Sequence, residues 1–285
     1  MNDPRKEREL NLRTIRAYAQ LLAVMRDAMG RLQNKQAPRT AVARSAMQEL
    51  FEETLDREWL VTALARFPRA PDATHQRLCA VAAYVLVLTR RLLLSPADAV
   101  ELCTAALFHD LSMLPGEPMP PGALGARSVV RSLSDPPTDE VLHQATVALE
   151  WLLPPAGSGP TARFIAVPSM FELLSQPGPG RPAVEPDDAM RLLPQLSGER
   201  LDDVVVHLFV RHFGFYPPGT AVRLNDATFA IVRKPPRDGE PLDQPTVRRY
   251  DKAFANTDID LRGDPSLAIT GAVPPTLNPL RAWID

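Results

Sequence analysis

Hydrophobic residues recur every three or four positions through the first 110 residues, which is the pattern of amphipathic helices. This periodicity predicts four helices, over residues 9–33, 41–67, 75–94 and 96–110. A break at Ala37-Pro-Arg-Thr separates the first two. The fourth has a full start signal: Ser95 is the N-cap, Pro96 lies in the first turn and Asp98 complements the helix dipole. The first part of the chain is therefore predicted to be helical.

Most of the 30 prolines lie beyond residue 114, so the second half is predicted to contain shorter elements. Further helices are predicted over residues 139–153, 161–174 and 202–213, with a short one starting at Glu185. At Tyr216-Pro-Pro-Gly the hydrophobic period changes from helical to alternating. Two strands are predicted at residues 220–224 and 228–232, joined by a hairpin turn, and a third at 246–250. The chain from Asp258 onward is predicted to be irregular.

These elements predict a mainly α protein with a small β-rich C-terminal segment. Three parts are expected: an N-terminal helical extension (1–68), a helical domain (69–214), and a β-hairpin segment with an irregular tail (215–285). The extension either packs on the helical domain or pairs with another subunit, and the pattern leaves both alternatives open.

Composition excludes several partners. The chain is 45% hydrophobic and carries 32 basic against 34 acidic residues, for a net charge of −2. No overall field draws it to nucleic acid or anionic lipid. The charged N-terminus lacks a signal peptide pattern, and the longest apolar run, residues 78–88, is too short to insert in a membrane. Cys79 and Cys103 are interpreted as buried, reduced side chains. A cytoplasmic location is expected.

The candidate chemistry centres on His109-Asp110, the HD pair, at the end of a predicted helix. His75 lies near the start of the preceding helix. If the two helices form an antiparallel hairpin, His75 meets the HD pair. Two imidazoles and one carboxylate then suit a divalent ion such as iron or manganese. The alternative is a set of capped, hydrogen-bonded core groups.

Three segments around these residues resemble the opening of an HD-GYP domain, a bacterial branch of the HD phosphohydrolases: His75-Gln-Arg-Leu, Leu94-Ser-Pro-Ala-Asp, and Ala105-Ala-Leu-Phe-His-Asp-Leu-Ser-Met-Leu-Pro. Later segments follow in the family's order, so that the resemblance covers about residues 70–270. They begin at Leu124, Ala162, Arg181, Asp188, Leu201 and Tyr216. The resemblance implies an HD-domain-like helical bundle and hydrolysis of cyclic di-GMP at two metal ions.

The sequence differs from the family at positions where the resemblance implies catalytic residues. The family's catalytic lysine is replaced by a methionine, and four of its metal ligands by residues without metal-binding groups: Met113, Pro121, Ala148, Leu149 and Ser169. Glu150 matches, and His143 is an alternative, displaced ligand. The remaining candidate ligands are His75, His109 and Asp110. Two-metal hydrolysis needs more ligands than these three.

The sequence therefore predicts a non-catalytic, HD-GYP-like signalling or adaptor protein that binds a protein partner, with a homodimer left open. One alternative is a residual metal-dependent phosphohydrolase or cyclic-di-GMP phosphodiesterase holding one ion of iron, manganese or zinc. Another is a cyclic-dinucleotide receptor without hydrolysis, whose candidate phosphate-binding residues are Arg127, Arg163 and Arg181.

Overall fold

The computed structural model describes most of the chain: residues 4–34, 36–67, 74–110, 147, 150, 151, 153–176, 182–249, 258–274 and 283. This part is mainly helical, as predicted. Its α-helices are α1 (Pro4–Gln33), α2 (Thr40–Glu53), α3 (Glu58–Ala65), α4 (Thr74–Arg91), α5 (Pro96–Phe108), α6 (Pro160–Ser175), α7 (Pro186–Leu192) and α8 (Asp203–Phe213). Short 3-10 helices cover Pro155–Gly157 and Leu193–Leu196. None of the helices in these ranges is long and apolar enough to cross a bilayer.

Helix α4 is the central element of the helical part. Its residues from Arg77 to Thr89 are all buried, because neighbours cover it on every side. Helices α1, α3, α5 and α6 all pack against it. Leu21 of α1 and Leu50 of α2 are fully buried in the same hydrophobic core as Leu78 of α4. Of the two alternatives for the N-terminal extension, packing on the helical body is therefore the one observed.

The continuous helix predicted over residues 41–67 is wrong, since a turn divides it into α2 and α3. Asp56 has φ +60°, a left-handed conformation that aspartate tolerates better than most residues. Arg90 of α4 stabilises the end of α2 by donating hydrogen bonds to the carbonyl of Phe51 and the hydroxyl of Thr54. This tertiary cap leaves no pattern in the local sequence.

The C-terminal part forms a five-stranded antiparallel sheet of order β4-β3-β2-β1-β5. Its strands are β1 (Ala221–Leu224), β2 (Phe229–Lys234), β3 (Thr246–Arg249), β4 (Asp258–Asp260) and β5 (Ile269–Ala272). The predicted hairpin and third strand are confirmed. The prediction of an irregular tail is wrong, because β4 and β5 form the two edges. Both edge strands are short and partly polar. They form because they pair with neighbouring strands, and their own hydrophobic pattern is too weak to predict them.

Two close contacts join the sheet to the helices. Gly219 has φ +91°, and a Cβ atom there would lie 2.7 Å from Cα of Ala63 in α3. Near the other end of the fold, the Asn11 amide donates a 2.7 Å hydrogen bond to the carbonyl of Trp283. The Trp283 ring lies under the guanidinium of Arg233, 4.5 Å from ring centroid to Cζ. Trp283 thereby connects α1 with strand β2.

Candidate functional site

The HD pair lies where the sequence predicted, directly after the last turn of α5. Ser95 caps the start of this helix by accepting a hydrogen bond from the Asp98 amide, which fixes the register of the helix. His109 is the C-cap residue, and both His109 and Asp110 are buried, with 0% and 2% exposure. An ionisable pair this deep must find partners within the protein.

His109 is held in one tautomer by two hydrogen bonds. Its Nδ1 lies 2.7 Å from the carbonyl of Ala106, which only accepts, so Nδ1 carries the proton. Nε2 then accepts from the hydroxyl of Ser169, 2.8 Å away. Burial lowers the pKa of His109, which keeps the ring neutral at pH 7. The ring also packs edge-on against Trp151, with centroids 5.2 Å apart.

Asp110 is paired with a residue that the sequence reasoning missed. The Arg77 guanidinium donates to its carboxylate at 2.6 Å, and the two side chains are only 10% and 1% exposed. Arg77 lies in the first turns of α4, in a stretch whose following residues are all buried. A charged residue inside a buried apolar helix requires a counter-charge. This requirement was the signal in the sequence that could have identified Arg77 as the partner of a buried carboxylate.

His75 lies in the first turn of α4, two residues before the Arg77 that pairs with Asp110. Burial and the positive charge of Arg26 lower the pKa of His75. Its Nε2 is buried and has no hydrogen-bond partner among the described residues. Within those residues, no three His, Cys, Asp or Glu side chains converge as metal ligands. The assignment of His75, His109 and Asp110 to a metal site stays a prediction.

Ser169 is the residue that the family resemblance aligned with the last metal aspartate. It lies in the middle of α6, is fully buried, and reaches Nε2 of His109. The resemblance thus located a real neighbour of the HD pair across 60 residues of sequence. Glu150, which matches the family, accepts a 2.7 Å hydrogen bond from the Gly159 amide at the start of α6.

The three arginines proposed for phosphate binding are only partly described. Arg163 donates from Nε to the carbonyl of Ser158 at 2.8 Å and lies 3.8 Å from the carboxylate of Asp202. Arg163 thus joins the starts of α6 and α8. Arg127 and Arg181 lie outside the described residues, as do His143 and the substituted ligand positions Met113, Pro121, Ala148 and Leu149.

Comparison with curated proteins gives one similarity that extends over most of the chain. The sequence is 26% identical over 269 residues to the cyclic di-GMP phosphodiesterase PA4108 of Pseudomonas aeruginosa. The alignment covers 86% of this chain and 63% of that protein, so this chain spans less than two thirds of the relative's length. No family profile and no solved structure matches the chain. The similarity supports a distant relationship to a cyclic di-GMP phosphodiesterase, the activity that the HD-GYP resemblance implies.

Proposed function

We propose that this chain is a cyclic-di-GMP phosphodiesterase-like signalling protein that has lost hydrolysis and acts by binding a protein partner. The distant phosphodiesterase relative supports the signalling context. The loss of hydrolysis rests on what surrounds the HD pair.

The observation that carries the proposal is the buried Arg77–Asp110 ion pair. A catalytic metal ion would use the Asp110 carboxylate, one oxygen of which already accepts a 2.6 Å hydrogen bond from the Arg77 guanidinium. Two cations this close repel each other strongly in a poorly solvated interior. The carboxylate therefore already has the positive partner that a metal would supply.

The second support is the contact between His109 and Ser169. The lone pair of Nε2 is used by the serine hydroxyl, and serine brings no negative charge to offset a divalent ion. An imidazole, an arginine-paired carboxylate and a hydroxyl do not fit a two-metal centre, which needs bridging carboxylate or hydroxide between ions about 4 Å apart.

The test is metal content together with cyclic di-GMP turnover on protein purified without chelators. The proposal expects metal well below one ion per chain and no hydrolysis. Near-stoichiometric iron, manganese or zinc, with turnover that disappears in Asp110→Ala, would overturn it. Asp188→Ala, an exposed acidic residue on α7, is the matched control for loss of a carboxylate.

A gain-of-function variant sharpens this test. Ser169→Asp combined with Arg77→Met places a carboxylate beside His109 and removes the competing guanidinium. We expect this double variant to take up more metal than the wild-type protein. Equal metal content in both would mean that neither residue sets metal affinity.

A residual metal-dependent phosphohydrolase is the second candidate, because of the His109 tautomer. Metal-binding histidines commonly donate one ring N–H to a backbone carbonyl and bind the ion through the other nitrogen. The Ala106 contact has this form. This candidate requires bound metal and turnover that both disappear in His109→Ala.

A further inference from the structure

A second candidate site lies away from the HD pair, where the sheet meets the helices. It is a cleft of about 460 Å³, a volume within the range of small-molecule sites. The ends of α4 and α8 and the N-terminal part of α3 form one side, and strands β2, β3 and β4 with the loop after β2 form the other. Neither His109 nor Asp110 lines it.

The charges around this cleft favour an anion. Four basic and four acidic side chains line it: Arg91, Arg211, Lys234, Arg237, Asp238, Glu240, Asp258 and Asp260. Each acidic side chain is ion-paired with arginine, and three of the arginines come from outside the lining: Arg233, Arg248 and Arg262. The four carboxylates of the lining are thus all neutralised by arginine, and Arg211 and Lys234 remain outside these ion pairs.

Two of these cations are available to a ligand. Arg211 at the end of α8 and Lys234 at the end of β2 are exposed and form no ion pair with any residue in the described ranges. By contrast, Arg91 pairs with Asp238 across the cleft. An exposed, unpaired cation in a concave site binds phosphate oxygens without first breaking an internal ion pair.

The same cleft also contains a pair of packed rings, inclined to each other by 42°. Trp59 of α3 and His212 of α8 both line it, and their rings pack with centroids 5.2 Å apart. Burial, followed by the charge of Arg91, lowers the pKa of His212 to about 4, so this ring is neutral at pH 7. Its buried Nε2 has no hydrogen-bond partner among the described residues. Aromatic rings of this kind stack on nucleobases.

We propose that this cleft binds a nucleoside phosphate, with the phosphate against Arg211 and Lys234 and the base against Trp59. The site is separate from the HD pair, and binding there does not depend on metal or hydrolysis. It would give this chain a nucleotide-responsive surface at the junction between helices and sheet.

Isothermal titration calorimetry on the full chain tests this with three probes: guanosine 5′-monophosphate, cyclic di-GMP and inorganic phosphate. We expect at least one guanine nucleotide to bind, with affinity that falls as salt is raised. Inorganic phosphate, which lacks the ring, should bind at least about tenfold more weakly. Failure of both nucleotides to bind, or equal binding of phosphate and nucleotide, contradicts the proposal.

Charge reversals locate the binding. Lys234→Glu and Arg211→Glu should each weaken nucleotide binding by about tenfold, while Arg44→Glu, on the exposed face of α2, should leave it unchanged. Both cleft positions are exposed, so these variants should fold, which circular dichroism checks. Equal affinity in the cleft variants and Arg44→Glu would overturn the assignment.

Discussion

Removing either member of the Arg77–Asp110 pair should destabilise the fold far more than removing both. The N–O distance is 2.6 Å, which corresponds to an attraction of about 6 kcal/mol at an effective dielectric constant of about 20. Desolvation of two side chains that are 10% and 1% exposed offsets most of this attraction. The whole pair therefore contributes little net stability, although each partner is needed by the other.

A double-mutant cycle measures this dependence. Arg77→Met keeps most of the side-chain volume, and Asp110→Asn keeps the shape of the carboxylate. Each change alone should lower the free energy of unfolding by about 3–5 kcal/mol, because it leaves a buried group without its counter-charge. The double variant should cost less than either single variant, which corresponds to a coupling energy of at least about 3 kcal/mol between the two residues.

Urea unfolding followed by circular dichroism gives the three differences in unfolding free energy. Arg44→Met is the control for loss of an exposed arginine and should change stability by no more than about 0.5 kcal/mol. If the two single effects add within about 0.5 kcal/mol, Arg77 and Asp110 are energetically independent. In that case the argument that arginine replaces a metal ion as the partner of Asp110 is wrong.

Three further predictions concern stability. The pKa of His212 is about 4 in the folded protein and about 6.5 when unfolded, so the unfolded chain binds the proton first. The contribution of His212 to stability should therefore be fully present above pH 6.5 and fall by about 3 kcal/mol as the pH drops towards 4, a loss that His212→Gln should remove from urea titrations across this range. Gly219→Ala should cost about 3 kcal/mol or more, since its Cβ would meet the Ala63 backbone and φ is +91°. Leu93→Gly should raise stability by about 0.5 kcal/mol in the same assay, because Leu93 is 90% exposed and has φ +55°.

The first two of these predictions each have a result that would contradict them. Identical pH profiles for wild type and His212→Gln would mean that the histidine is not buried in its neutral form. A Gly219→Ala variant as stable as wild type would mean that the sheet does not abut α3 as closely as described. Gly239→Ala is its matched control, because Gly239 also has positive φ but has open space around it.

Much of the helical part could be predicted from the sequence because its signals are local. Ser95 and Asp202 cap their helices through side-chain contacts within three residues. The break after α2 was missed because its stabilising contact comes from Arg90, 36 residues further along the chain. The two edge strands were missed for a similar reason, since their partners lie across the sheet.

The residues of the candidate site also differ in whether the sequence alone could identify them. Ser169 was found only because an ordered family resemblance carried information about distant neighbours, which hydrophobic periodicity does not contain. Arg77 stands two residues after His75 in the sequence, yet only the tertiary structure shows that Arg77 pairs with Asp110. Which buried charges pair depends on the rotation of a helix about its axis. The sequence pattern defines that rotation only approximately, so it does not identify the partner of a buried charge.

The contact between Asn11 and Trp283 has a consequence for biosynthesis. The two residues are separated by 272 positions, so at ribosomal rates of about 5–20 residues per second roughly 15–55 s pass between their syntheses. Helix α1 can meet α2, α3 and α4 long before then, whereas its Asn11 amide acquires its carbonyl partner only after Trp283 has been synthesised. Until that point the Arg233 guanidinium also lacks the ring on which it packs, so this contact between α1, β2 and Trp283 is completed after the helical core can form.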